Sequence, residues 1–477
     1  EPPPIPPIPE PSAAAIELPP GYQAEVVISH LTYPSTVALD DAGNLYVAES
    51  GYVYGDPSAP ARIWRVGGDG GLQLLVGEGL NGPITDLLWH RGQLFVSHRG
   101  KVSIAGPDGL RDIVTGLPSH GDHFNNQLAV GPDGKIYMGQ GTATNSGVVG
   151  VDNWAMGWLK RYPRFHDTPA QTIQLRNVDI LSLNPMVLTV GKKPPMATTG
   201  AFQAFGENDK ETVQGAVKAN GAVLRFDPDG SGLEVYAWGL RNPYGLAWTG
   251  DGRLISAENG FDDRGSRPVD NAPDTLWEIR QGAWYGWPDY ASGMPVTDAR
   301  FQPSDKPDNG MLMAEHPPLQ QPFLRRPPHS AVTQLALSTS PDFGHAGHLF
   351  LGEFGDMAPL TGQVDRPTGF GVFRIDPATK QVQPFARTKS DALGPKGLEY
   401  IATAGLKRPV DVAFSASGNT LYIADIGVFA VPPTVAPLPM PMEATGVIWR
   451  IYRTGATPEG PPAGVSMLPG TKRQAGN

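Results

Sequence analysis

The sequence predicts an all-β fold, a six-bladed β-propeller with long loop insertions, and three observations predict it. An apolar alternating strand, a turn carrying Gly or Asp, and a second alternating strand ending in small or acidic residues recur as a unit six times. The 477 residues include 59 Gly and 50 Pro, which suits many turns and little continuous helix. Each unit is too small a sheet to bury both its faces alone, and radial stacking of such sheets buries them.

The chain opens with "EPPPIPPIPEPSAAAIELPPG", which lacks a starting Met and reads as a processed or trimmed product with a polyproline-like spacer over residues 1–20. The propeller is expected over 21–455. "GYQAEVVISHL" comes first, an extra strand with no hairpin partner of its own. The six hairpins follow: "STVALDDAGNLYVAES", "TDLLWHRGQLFVSHRG", "NQLAVGPDGKIYMGQG", "YGLAWTGDGRLISAEN", "TQLALSTSPDFGHAGHLFLGEF" and "VDVAFSASGNTLYIADIG". Most are followed by a third strand, such as "ARIWRVGGDG" or "GVFRIDPATKQ". The last such strand, "GVIWRIYRTG", lacks an outer partner, so it and the first strand are expected to close the ring together and shield both edges. Insertions at about 148–212 and 427–445 exceed ordinary loop lengths and read as lids or partner surfaces. Residues 456–477 have no apolar period and read as a loose tail.

Composition excludes several functions. A net charge of −10, with no basic run, argues against nucleic acid. The absence of cysteine removes disulfides, thiolate metal sites and cysteine nucleophiles, so any metal must be held by oxygen or imidazole. No run of 18 apolar residues marks a membrane span.

Propeller sites form where loops converge over the central channel, so residues at the ends of the innermost strands are the candidates. His123, in "GDHFNNQ", precedes an inner strand, where a neutral imidazole can accept a proton; the plainer role is a turn histidine bonded to backbone. Arg241 and Asn242 stand before "PYGLAW", where an arginine can bind a carboxylate or oxyanion, or bridge two blades. "ENGFDDRGSRPVDNAPD" carries Glu258, Asp262, Asp263, Asp270 and Asp274 in one oxygen-rich loop that suits Ca²⁺ or, equally, a solvated acidic turn. "RPPHSA" and "LKRPVDV" lead into the last two inner strands.

In order and position these clusters resemble the soluble quinoprotein glucose/sorbosone dehydrogenase family, six-bladed propellers that use pyrroloquinoline quinone (PQQ) and Ca²⁺. The resemblance runs from about Gly21 to Thr454, outside the two insertions. It is most specific at "DHFNNQLAVGPDGKIY", "WGLRNPYGLAW", "YGWPDY" and "RPVDVAFSASGNTLYIAD". It implies His123 as general base, Arg241 and Asn242 at the reactive quinone oxygens, and Gly260 and Phe261 as main-chain carbonyl ligands of Ca²⁺. Arg408 would grip a PQQ carboxylate and Asn81 contact the cofactor. It departs at Thr142, where the glucose enzymes have an aspartate that orients the base. It departs again at Val410, in place of a second arginine, and in the absence of a lysine from "GEFGDMAPLTGQVDRPTGFGVFRI", where Arg366 is the nearest substitute.

The implied activity is PQQ- and calcium-dependent oxidation of an aldose or sorbosone-type sugar in the periplasm or outside the cell. An electron acceptor, a dye, quinone or cytochrome, would complete the cycle. Two alternatives remain at this point, a non-catalytic carbohydrate- or protein-binding propeller and a calcium-dependent lactonase-type hydrolase.

Overall fold

The computed structural model describes residues 6–51, 59–187, 195–304, 307–431 and 439–468. Parts of the proline-rich leader (1–5), of both insertions (188–194 and 432–438) and of the tail (469–477) lie outside the described residues. Six antiparallel sheets surround a central axis, and α-helix among the described residues is confined to two short segments, Val151–Ala155 and Trp158–Arg161.

Blades 1 and 2 are continuous four-strand meanders, running Pro34–Leu39 to Leu72–Val76 and Ile84–His90 to Gly109–Val114. Blade 3 takes its inner hairpin from Asn125–Val130 and Ile136–Gln140, then resumes at Ala222–Phe226, so the first insertion leaves the blade between its second and third strands. Blade 4 runs from Asn242–Trp248 out to Leu324–Pro328, and blade 5 from Val332–Leu337 out to Val382–Thr388.

Blade 6 begins at Pro409–Phe414, and its third strand, Gly446–Arg453, pairs antiparallel with Tyr22–Leu31 from the start of the chain. The two strands left without partners in the sequence thus complete one sheet. Two short pairings extend the edges. Ile16–Glu17 adds to blade 5, and Val465–Ser466 lies parallel to Tyr22–Leu31, so part of the leader and part of the tail are held to the body.

The inner strand of every blade is bulged near its start, at Pro34/Thr36, Ile84/Asp86, Asn125/Leu128, Pro243/Gly245, Val332/Leu335 and Pro409/Asp411. A bulge leaves backbone groups unpaired and re-aims a side chain, and here those side chains tie one blade to the next. Asp411 accepts from Val37 N at 2.7 Å, Asp86 from Leu128 N at 2.8 Å, and Gln127 from both Leu246 N and Leu335 N at 2.8 and 3.0 Å. These polar links ring the channel, while apolar clusters between the blades supply the bulk of the core.

Candidate functional site

All six inner strands start at the same end of the channel, and the residues just before them meet there around a cavity of about 210 Å³. Its walls include His123, Arg241, Asn242 and Gly260 of the residues expected from the sequence. Phe261 is buried next to Gly260 but outside this cavity. Asn81 and Arg408 do not line it. Asn81 donates from its side-chain amide to Arg99 O at 3.2 Å and from its backbone N–H to His98 Nδ1 at 3.0 Å. Arg408 lies between the rings of Phe354 and Phe370, with Nη1 donating to the carbonyls of Phe354, Gly355 and Asp356 at 3.3, 3.0 and 2.9 Å. Its guanidinium therefore fixes the Phe354–Asp356 turn, and Phe354 and Gly355 form part of the cavity wall.

His123 sits where two close backbone approaches require glycine. A Cβ on Gly141 would lie 2.4 Å from the Cβ of His123, and one on Gly121, which has φ +130°, would lie 2.3 Å from Ala143 O. The ring is buried. Nδ1 lies 3.0 Å from Thr142 O and 3.1 Å from Thr142 Oγ1, and Oγ1 donates its own proton to Thr144 O at 2.7 Å. Both neighbours can therefore only accept, which makes Nδ1 the protonated nitrogen and leaves the Nε2 lone pair without a partner among the described residues. Burial, with the Arg241 and Arg264 charges added, holds the imidazole well below its usual 6.5, so it is neutral.

Arg241 is fully engaged. Nε donates to Asn145 O at 3.1 Å, and Nη2 to Asn145 Oδ1 and Asp262 Oδ2 at 2.9 and 2.8 Å. Asp262 is also reached by Arg264, which in turn bridges Asp122 and Asp152 at 2.8 and 2.6 Å. Burial opposes ionisation of Asp262, yet the two guanidiniums hold its carboxyl below the ordinary value. Asn242 donates to Asn259 Oδ1 and accepts from Asn126, which fixes its amide on the wall beside His123.

The acids of the blade 4 loop do not converge. Glu258 accepts from Arg241 N and Trp277 Nε1, Asp274 from Gly260 N, Val332 N and Ser330, and Asp270 from Asn271. No three acidic or imidazole side chains among the described residues are grouped to hold a metal. The carbonyls of Gly260 and Phe261, in contrast, accept no hydrogen bond from the described residues. Gly260 is glycine because a Cβ there would stand 2.5 Å from Pro273 O.

Several groups at the site escaped the sequence reading. Arg264 is one of the "FDDRG" residues, but only the fold brings it to Asp122, which precedes His123. Asn145 and Asp167 come from the first insertion or its root. His329, within the "RPPHSA" cluster that the sequence did single out, lines the cavity, and its buried Nε2 has no partner among the described residues. The insertions also build a rim: Val149, Trp158, Leu159 and Phe165 pack with Leu360 of blade 5, and Val431 of the second insertion joins them. No helix among the described residues is long and apolar enough to cross a membrane.

Comparison with known proteins agrees with this architecture. The glucose/sorbosone dehydrogenase family model matches residues 196–358, the stretch holding Arg241, Asn242, Gly260 and Phe261. Quinoprotein glucose dehydrogenase B of Acinetobacter calcoaceticus is 26% identical over 185 residues, 38% of this chain and 29% of that protein, so the match spans under a third of the relative's length. The holo form of the pyranose dehydrogenase PQQ domain from Coprinopsis cinerea superimposes with a TM-score of 0.54 at 16% identity, over 94% of this chain and 98% of that one. The apo form of the soluble aldose sugar dehydrogenase from Escherichia coli gives 0.51 at 16% identity, over 91% and 99%. At such identities the structural likeness speaks for the fold. The chain is a six-bladed propeller that resembles the soluble quinoprotein glucose/sorbosone dehydrogenases, and its residues 196–358 match that family's model.

Proposed function

We propose that this chain oxidises a sugar of the aldose or sorbosone type, using PQQ and Ca²⁺ in the top cavity, with His123 as general base. The observation that carries the reading is the His123 ring, which is neutral, protonated at Nδ1, and open at Nε2 on the wall shared with Arg241 and Asn242. The family match over 196–358 and the quinoprotein relative support it.

The residues present fit the two groups. The unpaired carbonyls of Gly260 and Phe261 suit a hard cation. The wall's own carboxylates are already satisfied: Asp122 and Asp262 by arginine, Asp274 by backbone N–H groups. Two guanidiniums, Arg241 and Arg264, are shared among Asp122, Asp152 and Asp262, so each of these carboxylates has a cationic neighbour. Arg241 lines the cavity and would present its positive charge to the cofactor, and Arg408 braces the wall from behind.

When bound, PQQ supplies a two-electron acceptor for hydride. The chain's part is to take the hydroxyl proton at His123 Nε2 as the C–H bond yields its electron pair, leaving the carbonyl product. Arg241, locked by Asn145 and Asp262, presents fixed positive charge where negative charge develops. Two electrons leave the sugar in each turnover, so a separate acceptor, a dye, quinone or cytochrome, belongs to the same reading, as does a periplasmic or secreted location.

Titration of the purified chain with PQQ, with and without Ca²⁺, tests this, followed by dye reduction with a panel of aldoses. Saturable calcium-dependent binding and sugar-dependent reduction are expected. No binding at micromolar PQQ overturns the reading, and lactone hydrolysis requiring Ca²⁺ alone replaces it.

A further inference from the structure

The first insertion reaches the back of the proposed base. Asp167 is 1% exposed and has no cationic partner among its contacts. Its two oxygens accept from Ala143 N at 2.6 Å and from Thr144 Oγ1 at 2.5 Å. Thr144 O in turn receives the Thr142 hydroxyl, whose oxygen, with Thr142 O, receives His123 Nδ1. One continuous path of hydrogen bonds therefore runs from a carboxyl in the insertion to the base, through three successive residues of the segment that follows the second strand of blade 3.

With Asp167 ionised, the direction of each bond is fixed by chemistry. The backbone N–H of Ala143 can only donate, so Asp167 must present an acceptor there. The Thr144 hydroxyl accepts from Gly147 N at 2.9 Å and spends its proton on Asp167. That pins the Thr144 carbonyl, which commits the Thr142 proton and leaves Thr142 Oγ1 only a lone pair to offer. Were the Thr142 hydroxyl released, it could turn and donate to the ring, and the opposite tautomer, with its proton on Nε2, could form. A base with that proton already in place cannot accept the substrate's.

We infer that Asp167, acting through Thr144 and Thr142, is a positioning residue that holds His123 in its Nδ1–H tautomer, so the long insertion supplies the orientation of the base. The inference rests on His123 as the base of the proposed oxidation. It assigns to this chain's own insertion a task that a single carboxylate beside the ring could otherwise perform.

The test reads the tautomer directly, on the full chain without cofactor. Long-range ¹H–¹⁵N correlation of the imidazoles distinguishes Nδ1–H from Nε2–H, and the His123 signals are identified by their loss in His123→Ala. Wild type is expected to show Nδ1–H alone. Asp167→Ala is expected to give a tautomer mixture, with kcat lowered at least 10-fold and KM within 3-fold wherever sugar oxidation is measurable, whereas Thr142→Val, which leaves only the accepting Thr142 carbonyl at Nδ1, is expected to keep Nδ1–H. Adding Thr142→Val to Asp167→Ala, which removes the hydroxyl that could turn, is expected to restore the pure Nδ1–H form. Thr144→Ala cuts the same path from its other side and decides the matter if Asp167→Ala does not fold.

Pure Nδ1–H in folded Asp167→Ala or folded Thr144→Ala, or a tautomer mixture that persists when Thr142→Val is added, overturns the inference. Because this readout needs neither PQQ nor sugar, a chain that binds no PQQ but shows the tautomer change loses the proposed function and keeps the positioning role. A chain that oxidises sugar with an unmoved tautomer does the reverse.

Discussion

Arg241 and Arg264 share one carboxylate oxygen, Asp262 Oδ2, at 2.8 and 2.9 Å. All three side chains are buried, so neither guanidinium has water to fall back on. Asp262→Asn keeps the shape and removes the charge both arginines depend on, and the loss of a buried ionic partner costs about 3 kcal/mol in such settings. Arg264 retains Asp122 and Asp152. Arg241 retains only neutral acceptors, so its guanidinium is the group expected to shift. Urea denaturation of the variant should show the stability loss, and PQQ affinity should fall with it.

The acid limb of the pH–rate profile should lie below the ordinary imidazole value. Burial and the Arg241 and Arg264 charges disfavour His123 protonation, and catalysis as proposed needs the neutral ring. Between pH 8 and 6.5, kcat/KM should therefore be flat as far as this group is concerned and fall only at lower pH. Replacing Arg264 with Gln should move the limb toward 6.5, because one of the two charges holding it down is gone. A limb at or above 6.5 in wild type would remove His123 from the role.

Stability should vary with pH in a particular sense. Burial pushes Asp167, Glu258, Glu353 and Asp411 each up to about 7. An unfolded carboxyl titrates near 4, so the folded chain binds these protons more tightly. That contribution is complete below about pH 4 and is lost as pH rises through about 7. His123 and His98 act oppositely, since both are depressed by burial and destabilise the fold as pH falls below their unfolded value. With four carboxyls against two imidazoles, unfolding free energy measured by denaturant should be higher at pH 5.5 than at pH 8. Asp411→Asn should flatten the slope, since the amide oxygen can still accept from Val37 N.

The sequence carried the blades and the direction in which they open. Six hairpins with turn residues at fixed offsets report strands and their inner edge, and the placement of "GDHFNNQ", "WGLRNPYG" and "LKRPVDV" before inner strands put the polar clusters at one end. The unmatched first and last strands, Tyr22–Leu31 and Gly446–Arg453, showed how the ring closes. Side-chain partnership was less legible, because it joins residues far apart in the chain. Arg264 is 142 positions from Asp122, and no local pattern distinguishes a bridging arginine from a solvated one. The bulges, which send Asp86, Gln127 and Asp411 to neighbouring blades, are one-residue slips that strict alternation hides. The acidic loop illustrates the reverse: its carboxyls suited a shared cation or a solvated turn, and the fold spends Glu258, Asp262, Asp270 and Asp274 on separate sets of donors.

Gly141 should tolerate no side chain. A methyl group there meets His123 Cβ at 2.4 Å and Asn242 Oδ1 at 2.6 Å. Overpacking of this kind costs about 1–3 kcal/mol and displaces whatever gives way, here the base or the amide beside it. Gly141→Ala is expected to lower the melting temperature by several degrees and to depress sugar oxidation more than stability alone explains. Full activity in this variant would show that the placement of His123 is not demanding.

Arg408 offers a last distinction, between a group that holds a ligand and one that holds a wall. Its Nη1 serves three carbonyls, and its plane is stacked between Phe354 and Phe370 at 4.6 and 4.8 Å from the ring centroids. Burial lowers its affinity for the proton, to about 10, which still leaves it charged at neutral pH. Arg408→Ala strands carbonyls that have no other donor at hand and opens the space between two rings, an expected loss of about 2–3 kcal/mol. Arg408→Lys keeps the charge but not the flat guanidinium that fits between the two rings. If the wall is what matters, lysine should recover little stability, and PQQ affinity should fall with both variants alike. If the charge acts on the ligand directly, lysine should recover much of the affinity while leaving stability low, and the two readouts, denaturation and titration, separate the cases.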